Sequence, residues 1–192
     1  MSKKKVYKLI HNLEFKNTTE SGLSLEMVFE RIKEFMNKDP RAVYNLMIGT
    51  DCQVHEGHTT FITGVIIQRV GKGAWACYRR VVIPREFHSV KEKLSMETTL
   101  SEEVALFFTG EVRTALEDIV LPYVYQGASL NFFIDVDAGT DERVNRTALY
   151  VEEMVRRVES VGMIPRIKPD AIAACAYADK YSKRPAVGYS VE

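Results

Sequence analysis

Three segments with strand-like patterns follow one another at residues 44–50, 61–70 and 74–83; the first is largely apolar and the second is rich in Ile, Val and Thr. Segments of this composition and length favour β-strands, and their order along the chain favours an antiparallel meander. The sequence Gly71-Lys72-Gly73 separates the second segment from the third. Because the context of a strand before it and a helix after it is missing, we interpret it as a hairpin turn and not as a phosphate-binding loop.

Helices and strands alternate after the meander. Apolar residues at helical spacing predict a long helix from Ser89 to Pro122, with a capping box of Ser89 and Glu92 and a possible second cap at Thr99. The following segments are predicted as strand, helix, strand and helix at residues 130–136, 142–160, 163–168 and 171–178. Strand–helix–strand units require parallel neighbours, so we expect an α/β fold. Its mixed five-stranded sheet would combine the antiparallel meander with two parallel strands, covered by helices on both faces.

Length and charge limit the domain organisation and the classes of partner. The 192 residues suit one domain, which we place at residues 23–192 behind an N-terminal arm at residues 1–22. That domain would begin with a helix at about residues 25–37, capped by Ser24 and ended before Pro40. The 26 basic and 26 acidic residues balance, so no global field attracts the chain to polyanions.

Cysteine usage and hydropathy indicate the compartment. The three cysteines, Cys52, Cys77 and Cys175, form no CxxC pair and no cluster with zinc spacing. The N-terminus lacks the apolar core of a signal peptide, and no stretch of 18 apolar residues follows. We therefore expect a cytoplasmic protein with reduced thiols and no membrane span.

Acidic residues occur where the strand pattern predicts apolar ones. Asp51 closes the first strand of the meander, and continued extension would bring Asp51, Gln53 and His55 onto one face. Asp135 and Asp137 share a face at the end of the buried strand at residues 130–136. Buried carboxylates are costly unless they are paired or bind a metal, so these positions are candidate sites.

Two predicted helices carry further candidate acids. Glu97 is in register with the apolar positions of the long helix and would face the sheet. A kink at Thr98 would turn Glu97 away and leave Glu103 or Glu111 as the helical acid. Asp170 lies in the first turn of the last predicted helix, where helix capping is the alternative role.

Carboxylates that converge from four elements repel one another unless cations neutralise them. Oxygen ligands without cysteine indicate Mg²⁺ or Mn²⁺. Two such ions, about 3.5 to 4 Å apart, are the usual apparatus for phosphodiester hydrolysis. The acid positions therefore predict a two-metal nuclease acting on RNA or DNA.

The element order and the acids resemble the ribonuclease H-like fold. More closely, Gly49-Thr50-Asp51-Cys52-Gln53-Val54-His55 and Lys168-Pro169-Asp170-Ala171, with Ala178-Asp179-Lys180, resemble the YkuK family of uncharacterised bacterial ribonuclease H-like proteins. The likeness covers about residues 24–184.

The resemblance implies a role for each candidate acid. Asp51 and Asp135 would be the central metal-bridging acids, Glu97 the helical acid and Asp170 the last acid, with Asp179 as its competitor. Two departures stand out in this sequence. Cys52 replaces the usual Ser, which we interpret as a packing change on the opposite side of the strand, and Phe133 replaces a His.

Weaker signals have alternative interpretations. Gln53 and His55 either orient water or substrate near the acids or make ordinary loop contacts. Basic residues form either a phosphate-binding surface or a solvated one: Arg79, Arg80, Arg85, Lys180, Lys183 and Arg184. Three aromatic residues at strand spacing favour sheet packing over base stacking: Phe61, Trp75 and Tyr78.

Two other functions compete with the nuclease hypothesis. A non-catalytic nucleic-acid-binding or scaffold module could keep the fold without converging acids. An actin-like phosphotransferase would need paired domains, for which 192 residues are too few. The sequence leaves RNA against DNA and the oligomeric state open.

Overall fold

The computed structural model describes residues 10–11, 14–140, 146–171 and 173–182. The strands are β1 (Ile10–His11), β2 (Val43–His55), β3 (His58–Arg69), β4 (Gly73–Ile83), β5 (Ser129–Gly139) and β6 (Ile164–Lys168). The helices are α1 (Leu25–Asn37), α2 (Val90–Phe107), α3 (Gly110–Val120), α4 (Val151–Ser160) and α5 (Ala173–Ser182). Two short 3₁₀ segments precede β5 and α4, at Leu121–Gln126 and Ala148–Tyr150.

The strands form one mixed sheet in the order β1-β4-β3-β2-β5-β6. β2, β3 and β4 are the predicted antiparallel meander, while β5 and β6 run parallel to β2. The predicted five-stranded α/β sheet is thus confirmed, and β1 adds a short antiparallel edge beside β4. Phe15, from the predicted arm, is fully buried in the main core.

Local sequence signals explain where several elements begin and end. The predicted caps are confirmed, since the Ser24 hydroxyl accepts from the Met27 N–H and the Ser89 hydroxyl accepts from the Glu92 N–H. The hairpin interpretation of Gly71-Lys72-Gly73 is also confirmed, with Gly71 at a φ of 73° that a side chain rarely adopts.

The last three predicted helices begin or break elsewhere than expected. The long helix stays continuous through Thr98 and Thr99 and breaks at Thr109-Gly110, between α2 and α3. α4 starts at Val151, after a turn and a 3₁₀ segment at residues 146–150, and residues 142–145 of this predicted helix lie outside the described residues. α5 starts at Ala173, whereas the predicted first residue, Ala171, lies in a turn. A turn at residues 169–171 therefore separates β6 from α5. Amphipathic spacing defines a helical face but marks a helix start only weakly where no cap is present.

Alternate residues of β2 face two different layers of helices. Met47 packs in a cluster with Tyr177 of α5, whereas the Thr50 hydroxyl lies 2.8 Å from the Ser101 hydroxyl of α2. The Thr50 hydroxyl also lies 2.9 Å from that of Thr63 on β3. These buried hydrogen bonds hold α2 in one register on the sheet.

The parallel strands end at one edge of the sheet, where their pairing opens. The register between β2 and β5 runs from Val43 with Ser129 to Gly49 with Asp135. Both strands continue beyond that point, and the pairing of β5 with β6 shifts after Asp135. In α/β sheets, ligands bind at the carboxyl ends of such strands.

Candidate functional site

Asp51 lies at this opening on β2, on the face covered by α5. The Ser182 hydroxyl of α5, itself fully buried, donates to Asp51 Oδ2 over 2.7 Å. Burial raises the pKa of the Asp51 carboxyl, against the Ser182 hydrogen bond, and the charges of Asp179 and Asp137 raise it further. Asp51 therefore has acidic neighbours from both α5 and β5.

Glu97 reaches the same opening from α2, on the opposite face of the sheet. Its carboxylate accepts hydrogen bonds from the thiol and the backbone N–H of Cys52. Burial raises the pKa of Glu97 to about 8, and although the Cys52 hydrogen bonds oppose this, the charges of Asp51 and Asp137 add to it. Because α2 is continuous, Glu97 faces the sheet as its spacing predicts.

Cys52 does more than fill space beside α2. Its side chain lies on the face opposite Asp51, as expected, and packs near Phe61 and Leu100. Burial, followed by the charge of Glu97, raises the pKa of the Cys52 thiol far above its usual value, so the thiol stays a hydrogen-bond donor. The interpretation as a simple packing change was therefore incomplete.

Asp135 is held in a buried ion pair. Arg166 of β6 donates to both of its oxygens, from Nε to Oδ1 over 2.6 Å and from Nη2 to Oδ2 over 2.8 Å. The Asp135 side chain is 0% exposed, and the Arg166 guanidinium lies 4.7 Å from the centre of the Phe133 ring. This bidentate pair occupies the carboxylate for which the sequence predicted a metal-bridging role.

Asp137 makes the second ion pair between β5 and β6. Lys168 Nζ lies 2.7 Å from Asp137 Oδ1, and the two side chains are 47% and 30% exposed, respectively. Unlike Asp135, Asp137 also lies close enough to Asp51 and Glu97 to raise the pKa of both. Asp137 therefore belongs to the same group of acids.

Of the two candidates for the last acid, Asp170 and Asp179, only Asp179 lies near the other acids. Asp170 is exposed in the turn before α5, and therefore outside the helix whose first turn it was expected to occupy. Asp179 lies in α5, is partly buried and raises the pKa of Asp51. The alternative helical acids lie elsewhere, since Glu103 pairs with Arg79 and Glu111 lies in the first turn of α3.

We call Asp51, Glu97, Asp137 and Asp179 the acid centre. Its four carboxylates come from β2, α2, β5 and α5, and such oxygen donors fit the chemistry of Mg²⁺ or Mn²⁺. In the described part of the chain, however, no three His, Cys, Asp or Glu side chains are grouped closely enough to hold a metal ion. The carboxylates of Asp51, Glu97 and Asp137 have the protein partners named above: Ser182, Cys52 and Lys168, respectively.

Gln53 and His55 continue along β2 beyond Asp51. The His55 ring stacks on that of His58 at 4.8 Å across the hairpin, and Gln53 Nε2 donates to the Val54 carbonyl. Burial, His58 and Arg80 lower the pKa of His55, which favours the neutral imidazole. These contacts belong to the hairpin, as the alternative interpretation of the two residues expected.

Several basic and aromatic residues have structural partners. Arg79 is buried and donates to Glu103 and to the Leu100 carbonyl, so it is no part of a basic surface. Arg80 donates to the Tyr181 carbonyl and Arg85 pairs with Glu92, while Lys180 lies 5.7 Å from the Tyr181 ring centre. Lys183 and Arg184 lie outside the described residues.

The aromatic residues confirm the sheet-packing interpretation. Phe61 is fully buried, and Tyr78, 8% exposed, stacks on Tyr181 with ring centres 4.0 Å apart. Trp75 packs against the main core. A base could not stack on Phe61 or Tyr78 without displacing core side chains.

Comparisons with known proteins agree with this architecture. Residues 27–183 match the protein family described as Ribonuclease H-like. The chain belongs to the ribonuclease H-like family. This family member is 38% identical, over 169 residues, to the "Uncharacterized protein YkuK" of Bacillus subtilis (strain 168), an alignment that covers 88% of this chain and 96% of that protein. No solved structure matches the chain.

Across the described residues of this ribonuclease H-like chain, every helix is too short or too polar to cross a bilayer.

Sequence reasoning missed three residues at the opening of this ribonuclease H-like sheet. Arg166 and Lys168 recur with a period of two on β6, beside acids with the same period on β5, and that pattern could have predicted cross-strand ion pairs. Ser182 carried no such signal, because its contact with Asp51 depends on how α5 is placed and rotated on the sheet.

Proposed function

We propose that this ribonuclease H-like protein is a divalent-metal-dependent nuclease that hydrolyses phosphodiester bonds of RNA or DNA. The observation that carries the proposal is the acid centre near the carboxyl ends of parallel strands, where the charges of Asp137 and Asp179 raise the pKa of Asp51 and those of Asp51 and Asp137 raise the pKa of Glu97. Membership of the ribonuclease H-like family supports the same activity.

Each element makes a separate contribution to the acid centre. Asp51 and Asp137 project from neighbouring parallel strands, whose backbone hydrogen bonds make them rigid supports. Glu97 enters from α2, which the hydrogen bond between Ser101 and Thr50 holds on the sheet. Asp179 and Ser182 enter from α5. Ligand sets supported in this way hold geometry better than sets built on loops.

Bound Mg²⁺ or Mn²⁺ would supply Lewis acidity at the phosphate and activate water for attack. The carboxylates of the acid centre would hold the ions, and their mutual repulsion favours cation binding. Asp135 and Asp170 are left out of the proposed ligand set, because the first is paired inside the sheet and the second is exposed outside the centre. Gln53 and His55 remain candidates for contacts with substrate along β2.

The test is Mn²⁺-dependent cleavage of a labelled panel: an RNA/DNA hybrid, single strands, duplexes and a four-way junction. We expect cleavage by the wild type that EDTA abolishes and that Asp51→Asn and Glu97→Gln reduce by at least about a hundredfold, or roughly 2.7 kcal/mol of barrier. Asp118→Asn is the matched control, since it removes an exposed acid on α3.

Three results would distinguish the possibilities. Metal-dependent cleavage that Asp118→Asn retains and Asp51→Asn loses supports the nuclease and names its substrate class. Cleavage that survives Asp51→Asn points to a contaminating nuclease and removes the support for the proposed nuclease activity. Metal binding that Asp51→Asn abolishes, without cleavage, leaves the centre intact and shows that the panel lacks the substrate.

The second candidate is a non-catalytic nucleic-acid-binding or scaffold module. The observation that favours it is the ion pairing on β5, where Arg166 and Lys168 already compensate Asp135 and Asp137. Such a module would bind members of the same panel in a gel-shift assay with EDTA present. Its affinity would not change in Asp51→Asn.

A further inference from the structure

The side chains of α2 meet those of β2 in a regular correspondence. The Ser101 hydroxyl lies 2.8 Å from that of Thr50, and one turn earlier in α2 the Glu97 carboxylate accepts from Cys52, two residues further along β2. One more turn back along α2 leads to Lys93. Burial and the charge of Glu97 raise the pKa of the Cys52 thiol, and the charge of Lys93 lowers it, so Lys93 lies close to this residue. Lys93 therefore flanks the acid centre on the α2 side.

The Lys93 ammonium has no carboxylate partner in the part of the chain that the structure describes. Glu97 lies four residues further on, at the spacing at which Lys and Glu pair on a helix, but it bonds to Cys52 instead. Lys91, two residues earlier on α2, pairs with Glu153 of α4 over 3.4 Å. Lys93 is half-buried, and its charge is left for a ligand from outside the chain.

The position of Lys93 in α2 argues against a role in helix stability. Lys93 is the fourth residue of the helix, near the end at which the helix dipole is positive. A cation is unfavourable at this end, whereas Glu92 in the same turn is favourable. The same dipole attracts an anion that is placed beside it. An ammonium group without a carboxylate partner at this end of a helix therefore suits an anionic ligand.

A nucleic acid that approaches the acid centre brings such an anion. Its backbone carries one negative charge per phosphate, and the carboxylates of the acid centre repel these charges. On the β6 side of the opening, Arg166 and Lys168 already face Asp135 and Asp137. Lys93 offers a cation on the α2 side that no carboxylate of the described residues compensates.

We propose that Lys93 is a phosphate anchor, whose ammonium group binds a backbone phosphate of the RNA or DNA strand that reaches the acid centre from the α2 side. This inference rests on the proposed function and deepens it, because it names the side on which the substrate strand lies. A lysine is a compact point charge, so the contact fixes the position of the strand without reading its sequence.

The test is a fluorescence-anisotropy titration of the labelled panel with the full-length chain, in EDTA and at several salt concentrations, comparing wild type with Lys93→Gln. We expect the variant to bind roughly five- to tenfold more weakly at about 0.1 M salt, because one phosphate contact is lost. The slope of log K against log salt should become shallower by about 0.9 for a duplex and about 0.7 for a single strand.

Cleavage kinetics in Mn²⁺ give a second readout of the phosphate anchor. Because the contact is made before and during the reaction alike, Lys93→Gln should raise KM and leave kcat nearly unchanged. Lys93→Arg keeps the charge and should restore both the affinity and the KM. Thermal unfolding followed by circular dichroism should show no loss of stability in Lys93→Gln, because no carboxylate partner is lost and a charge opposed to the helix dipole is removed.

Lys38→Gln is the matched control. It removes the same charge from an exposed lysine that follows α1, before the start of β2 and therefore at the end of the sheet opposite the opening. Its affinity and its salt dependence should equal those of the wild type. An equal loss in Lys38→Gln and Lys93→Gln would reduce the effect to net charge and would overturn the phosphate anchor.

The remaining outcomes separate this inference from the proposed function. Unchanged affinity and unchanged KM in Lys93→Gln, or a loss that Lys93→Arg does not restore, would overturn the role of Lys93 and leave metal-dependent cleavage standing. Binding that depends on Lys93, without cleavage, would keep the phosphate contact and favour the nucleic-acid-binding module over the nuclease. Absence of both binding and cleavage in the wild type would overturn both proposals.

Discussion

Asp135 and Asp137 lie two residues apart on one face of β5, and each faces a basic residue of β6, yet their surroundings differ. Asp135 is enclosed and receives two hydrogen bonds from the planar guanidinium of Arg166. Asp137 meets the flexible ammonium of Lys168 at an opening, next to Asp51 and Glu97. The same acid–base pairing along two strands therefore produces one closed pair inside the sheet and one exposed pair at the opening.

The choice of base matches this difference. Arginine suits a buried carboxylate because its fork satisfies both oxygens at once, whereas lysine is a compact charge on a flexible stem. Exposed ion pairs such as that of Lys168 with Asp137 contribute little to stability, because water screens their charges. The comparison indicates that Asp135 holds β5 and β6 together, while Asp137 is available to the acid centre.

Breaking the closed pair should have the largest effect on stability. Arg166→Met would leave the Asp135 carboxylate buried without its partner, and we expect a loss of about 3–5 kcal/mol in the free energy of unfolding. Urea denaturation followed by circular dichroism measures this loss. The double variant Asp135→Leu/Arg166→Met should recover much of it, because no unpaired charge remains. A loss below about 1 kcal/mol in Arg166→Met would contradict the assignment of this pair as closed.

The raised pKa of Glu97, an acid next to Asp137, predicts that the stability of the protein depends on pH. Glu97 has a pKa raised to about 8, against 4.5 for an ordinary glutamate, so the folded state binds its proton more tightly than the unfolded state does. This contribution to stability is fully present below pH 4.5 and is lost as the pH rises toward 8. We expect a loss on the order of a few kcal/mol across this range in metal-free protein.

Urea denaturation in EDTA at several pH values between 4.5 and 8 measures the contribution of Glu97. Glu97→Gln is the control, because an amide keeps the shape of the side chain without titrating. Its stability should vary less with pH than that of the wild type. Parallel profiles for the two proteins would contradict the raised pKa.

Breaking the exposed pair should have the smallest effect on stability. Lys168→Gln removes a partly exposed ion pair, and we expect its free energy of unfolding to change by no more than about 1 kcal/mol. Lys72→Gln, at the other exposed Lys–Asp pair, should change by a similar amount. A loss as large as that of Arg166→Met would show that both pairs serve the stability of the sheet and would remove the contrast between them.

The local elements were predictable wherever a short-range signal was strong. Ser24 and Ser89 cap their helices, and Gly71 makes the predicted hairpin turn, because capping and turn formation involve only a few neighbouring residues. The starts of α4 and α5 were placed too early. α4 has no side-chain cap that would mark its first residue in the sequence.

The candidate site was predictable in part for the same reason. Asp51 and Glu97 follow from strand alternation and helical spacing, which depend on backbone geometry alone. The sequence analysis assigned the metal-bridging role to Asp135, although Asp137 shares its face of the strand. Their surroundings differ because of their partners on β6, Arg166 and Lys168, which the sequence analysis did not identify. Asp170 was preferred to Asp179 because the turn before α5 was expected to be helical.

The amino-acid sequence by itself determined the mixed sheet, the meander and the presence of acids at the ends of its parallel strands, because periodicity and turn chemistry act over short distances. Only the tertiary structure decided which acids lie near one another. Strand pairing brought Arg166 to Asp135 and Lys168 to Asp137, and the packing of α5 brought Asp179 and Ser182 to Asp51. Such contacts join residues far apart in the chain, and the free energy of each depends on burial and neighbouring charges that exist only after folding.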